Sequence, residues 1–74
     1  MLTPAQSRAG RALLDWSQEE LARASHLGLS TIRDFEKGRR VPMHNNLAGI
    51  RRALEDAGVE FIPQNGGGPG VRLR

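Results

Sequence analysis

Cysteine is absent from the 74 residues, so neither a disulfide nor a cysteine-based zinc site can hold this chain together. Histidine is scarce: His26 and His44 stand apart from each other. Without several carboxylates beside them they cannot close a tetrahedral site. No metal and no other cofactor is expected. No apolar run approaches the ~18 residues that a membrane span requires. The opening Met1-Leu2-Thr3-Pro4-Ala5-Gln6 has neither the basic start nor the apolar stretch of a secretory signal. A cytoplasmic protein with no membrane partner is the expectation. Catalytic groups are missing too. With no cysteine, two dispersed histidines and no paired carboxylates in a plausible cleft, the chain offers no nucleophile–base arrangement, and no catalytic residue is assigned.

What the sequence has in excess is arginine. Ten arginines against one lysine leave a net charge of +3, and a basic balance in so small a protein points to an anionic partner such as nucleic acid. The length allows one domain, which buries only about 60% of its unfolded surface and so needs an efficient core.

The local signals describe mostly helices. Thr3-Pro4 pairs a hydroxyl N-cap with proline at the first helical position, and a helix is expected from about Pro4 to Leu14. Helical spacing brings Ala5, Ala9, Ala12, Leu13 and Trp16 near one face, which is the expected inner face. Ser17-Gln18-Glu19-Glu20 has the form of a capping box with acidic residues suited to the helix dipole, opening a short second helix from Gln18 to Ser25. His26-Leu27-Gly28 makes the turn to a third helix, Leu29 to Lys37, which Gly38 ends. After the basic loop Arg39-Arg40-Val41-Pro42, a fourth helix is expected to begin near Asn45 or Asn46. It carries Leu47, Ile50, Leu54 and Ala57 on one face and stops at Gly58.

The tail changes character. Val59-Glu60-Phe61-Ile62 and Val71-Arg72-Leu73-Arg74 look like short strands around the turn-rich stretch Pro63 to Gly70. The glycine run is not a phosphate loop, because it lacks the Gly-Lys-Ser/Thr ending and no helix follows it. The strands are expected to form a hairpin or to pair with those of a second protomer, since short strands with open edges invite a partner.

The second and third helices, joined by a tight turn, suggest a use. With Ile32 and Phe35 turned inward, Leu29, Ser30, Arg33 and Asp34 face outward, and such a stripe offers donors and acceptors to base edges in a major groove about 12 Å wide. The stretch Trp16-Ser17-Gln18-Glu19-Glu20-Leu21-Ala22, followed by Thr31-Ile32-Arg33-Asp34-Phe35-Glu36-Lys37-Gly38-Arg39-Arg40-Val41-Pro42, resembles the Cro/C1-type (XRE) helix-turn-helix family. The likeness runs over about residues 5 to 57, and its motifs are specific in combination.

The resemblance implies an all-α, lambda-repressor-like domain of four or five helices with a short C-terminal β-hairpin or β-arm. It implies residues 1–58 as the DNA-binding domain and 59–74 as an arm serving dimerisation through Phe61, Ile62, Val71 and Leu73. By position, Leu29, Ser30, Arg33 and Asp34 would read bases, while Gln18, Gly28, Lys37, Arg39 and Arg40 would meet phosphates. Gly28 departs from the family, which has a hydroxyl there; glycine still serves as an N-cap but brings no side-chain contact. Arg11 and Glu36 match a structural ion pair joining the first and third helices. The implied protein is a bacterial-type transcriptional regulator, cytoplasmic and nucleoid-associated, binding double-stranded DNA as a homodimer. A rival reading keeps the fold but makes it an antitoxin-like or antiactivator protein whose main ligand is another protein.

Overall fold

The computed structural model describes residues 2–63 and 66–74. Four helices, α1 (Pro4–Leu14), α2 (Gln18–Ser25), α3 (Leu29–Glu36) and α4 (His44–Asp56), precede strands β1 (Val59–Ile62) and β2 (Gly70–Leu73). Within the expected turn Pro63 to Gly70, Gln64 and Asn65 lie outside the described residues, as does Met1 in the opening segment.

The first two helix starts follow from local chemistry. Thr3 Oγ1 accepts from the Gln6 amide at 3.1 Å while Gln6 Oε1 accepts from the Thr3 amide at 3.0 Å. Ser17 and Glu20 repeat this exchange at 3.1 and 2.9 Å. Each reciprocal pair satisfies two backbone donors that a helix end otherwise leaves open. Both helices close on a non-glycine residue in the left-handed region, Asp15 at φ 56° and His26 at φ 60°, a conformation in which Asp and His are enriched among non-glycine residues. Gly28 caps α3 without a side-chain bond. Gly38, at φ 76°, turns the chain out of α3.

Two expectations are corrected. The fourth helix begins at His44, with Met43 as its cap, rather than at Asn45 or Asn46. The Met43 carbonyl accepts from the Asn46 and Leu47 amides at 2.9 and 3.0 Å, so the backbone closes the turn without a capping side chain. Both asparagines fall inside the first turn, where polar residues are tolerated. The inner face of α1 is also different: Ala5, Ala9, Ala12 and Leu13 are exposed, and Gln6, Ser7 and Gly10 are buried. Partners distant in sequence select that face. A side chain at position 10 would put its Cβ 3.2 Å from Leu54 Cδ1, so Gly10 lets α1 lie close against α4. Gln6 Nε2 donates to the Gly70 carbonyl at 3.2 Å, and Ser7 serves Glu36. Trp16 is half-buried and packs on the core from the link beyond α1.

The core gathers Leu2, Leu21, Ala22, Ile32, Phe35, Leu47, Ile50, Ala53, Leu54 and Val59. Burying a large aliphatic side chain contributes about 1.5–3 kcal/mol, and Leu21, Ile32, Ile50, Leu54 and Val59 are almost fully buried here. The strands pair within the chain as an antiparallel hairpin in the register Val59↔Leu73, Glu60↔Arg72, Phe61↔Val71 and Ile62↔Gly70. Val59 enters the core, and Phe61 and Val71 pack against it. The exposed face carries an ion pair, Arg72 Nε to Glu60 Oε1 at 2.7 Å.

Candidate nucleic-acid interface

The eight residues of α3 divide into two faces. Ile32, Phe35 and Glu36 are buried; Ser30 and Arg33 are exposed, and Leu29 and Asp34 are half-buried at the margin. Among the described residues the Arg33 guanidinium has no ion pair, so its five donors remain available. Lys37, Gly38, Arg39 and Arg40 are all exposed directly after the helix. The Gly38 amide donates to the Phe35 carbonyl at 3.0 Å and the Arg39 amide to the Asp34 carbonyl at 2.9 Å. These bonds fix the course of the cationic segment as it leaves α3.

Behind this surface lies a buried carboxylate. Glu36 is 2% exposed and collects donors from two other helices. Ser7 Oγ donates to Oε2 at 2.6 Å. Arg11 Nη2 donates to Oε1 at 2.7 Å, and Arg11 Nε lies 3.1 and 3.0 Å from the two oxygens. Gln18 Nε2 donates to Oε1 at 3.2 Å. Arg8 Nη1 donates to the Glu36 main-chain carbonyl, where a cation also meets the negative end of the helix dipole. Burial pushes the Glu36 carboxyl up. The hydrogen bonds from Arg11, Ser7 and Gln18, together with the Arg11 charge, outweigh that and hold it below the ordinary carboxylate range.

Sequence reasoning missed Ser7 and Arg8, and it missed the inward bond of Gln18. A signal was present: Ser7, Arg11 and Leu14 stand four and three residues apart, which is one helical face. Gln18 is half-buried at the start of α2, one amide hydrogen committed to Glu36. Gly28 is exposed at the start of α3. The assigned dimerisation residues differ in character. Phe61, Ile62 and Val71 are half-buried, and Leu73 at the hairpin end is 50% exposed. Among the described residues no group of three His, Asp or Glu side chains could hold a metal ion, and no helix is long and apolar enough to cross a membrane.

A short helix presenting one polar face beside exposed cations, braced from behind by two other helices, defines the helix-turn-helix class of DNA-binding scaffold. A helix-turn-helix family model matches residues 8–55, and the chain belongs to the Cro/C1-type (XRE) helix-turn-helix family of DNA-binding regulators. Comparison with curated proteins finds no match.

Proposed function

We propose that the protein is a transcriptional repressor that binds an inverted-repeat operator as a homodimer. The observation that carries this reading is the division of α3, with Ile32, Phe35 and Glu36 buried and Ser30 and Arg33 exposed next to Lys37, Arg39 and Arg40. Two copies of α3 enter successive major grooves on one face of the duplex, about 34 Å apart. Ser30 and Arg33 read base edges, Asp34 accepts from a cytosine amino group or orients Arg33, and Leu29 meets a thymine methyl. Lys37, Arg39 and Arg40 grip phosphates, joined by the second amide hydrogen of Gln18 and the backbone N–H groups at the Gly28 turn.

Selection of bound sequences from random duplexes tests this directly. The expected outcome is a palindromic site with half-sites one helical turn apart. About six to ten phosphate contacts per dimer should make the affinity fall by about 10³–10⁵ between 50 and 200 mM salt. A featureless selection with a flat salt dependence would overturn the reading.

The hairpin is the proposed dimer element, since a two-stranded sheet leaves strand edges open to a second copy. Leu73 is its most exposed large apolar side chain, so Leu73→Asp should leave the helical circular-dichroism signal intact while shifting sedimentation toward monomer. A variant that sediments as wild type would remove Leu73 from the interface.

A further inference from the structure

We propose that Glu19 is a specificity-determining residue, positioning Arg33 so that a base acceptor, rather than a phosphate, satisfies the guanidinium. The inference rests on the reading of α3 as the groove-entering helix. Glu19 belongs to α2 and Arg33 to α3, yet both line one shallow cleft of about 210 Å³, with Ser17, Gln18 and Leu29 as its other walls. Both side chains are exposed.

The two acids in the first turn of α2 are not equivalent. Glu20 accepts from the Ser17 amide at 2.9 Å and completes the cap. Glu19 has no hydrogen bond or ion pair among the described residues. Arg33 has no ion pair there either, with Glu19 or with any other residue, so two opposite charges share the cleft without touching.

A carboxylate on a surface that meets a polyanion lowers affinity for phosphate. Its use lies in the choice of acceptor. The guanidinium carries five donors in a rigid fork. Two can reach O6 and N7 of guanine while another edge stays toward Glu19, and all the charges are then accommodated. If Arg33 turns to a phosphate instead, that negative charge is drawn toward Glu19 and is repelled. Glu19 therefore weakens non-specific engagement more than engagement with guanine.

The test compares wild type, Glu19→Gln and Glu20→Gln on the duplex that wild type selects and on a scrambled duplex. Glu20→Gln removes the same charge one residue away, and glutamine still serves at that capping position. Glu19→Gln should tighten the scrambled duplex about 2- to 5-fold, the range of an exposed charge pair, and leave the selected one unchanged. The specificity ratio then falls, and the guanine preference relaxes when selection is repeated with this variant. Glu20→Gln should move both duplexes alike and keep the ratio. Equal behaviour of the two variants would reduce the effect to net charge and overturn the proposal; so would a Glu19→Gln variant indistinguishable from wild type. A wild type that prefers no sequence overturns the DNA-reading role itself, whereas a selective wild type with an unmoved Glu19 variant overturns only this inference. Circular dichroism checks that both variants stay helical.

Discussion

Replacing Glu36 by alanine is expected to cost about 3–5 kcal/mol, the loss that follows when one member of a buried ion pair is removed. Arg11, whose side chain is 18% exposed, would keep its charge without a counter-ion, and Ser7 and Gln18 would lose their acceptor. A 74-residue domain holds about 4–11 kcal/mol of stability in all. The variant should therefore melt at least about 12 °C below wild type, at 4–8 °C per kcal/mol, or not fold at all. Thermal denaturation followed at 222 nm checks this, and melting within a few degrees of wild type would refute it.

The same carboxylate predicts a pH dependence. Because folding lowers its pKa below the ordinary 4.5, the unfolded chain takes up the proton first as the medium is acidified. Stability is thus fully present above about pH 4.5 and is lost as pH falls toward and through the folded value. Glu36→Gln, which keeps an acceptor for Arg11 but cannot titrate, should lose much of this acid sensitivity. Some should survive, since the Glu60 carboxyl is also lowered, by the hydrogen bond from Arg72 and then by its charge.

The second large effect separates reading from gripping. Arg33→Ala should weaken the selected duplex by about 5- to 150-fold, the equivalent of 1–3 kcal/mol for one good base pairing, and the scrambled duplex far less. Arg39→Ala should weaken both by a similar factor and reduce the magnitude of the salt slope by about one for each phosphate it leaves without a cation. Titrations of labelled duplexes at several salt concentrations distinguish the two. If both variants bind more weakly by equal factors on both duplexes, the roles assigned to the helix face and the loop are wrong.

Features governed by neighbours in sequence were legible from the start. The caps at Thr3 and Ser17 rest on residues three positions apart, and the outward turn of Ser30 and Arg33 follows once Ile32 and Phe35 are turned inward, whereas Leu29 and Asp34 end half-buried. The inner face of α1 was not legible, because apolar spacing singles out its alanines. What that face packs against is decided by a carboxylate 29 residues beyond Ser7 and by Leu54 on α4. Burying Gln6, Ser7 and Gly10 makes sense only with those partners in place. The inward bond of Gln18 was hidden for the same reason. Whether the strands pair within or between chains was left open by their sequence, since an antiparallel ladder reads the same either way. Packing of Val59, Phe61 and Val71 on the chain's own helices decides for the intramolecular hairpin.

The anchoring of α3 through one end residue has an evolutionary corollary. Glu36 and its donors make no use of positions 29, 30, 33 and 34, so on the proposed reading the groups that address a base sequence could be exchanged while the mount beneath them stays the same. New targets would then be reachable by changing exposed side chains such as Ser30 and Arg33, on one side of two helical turns.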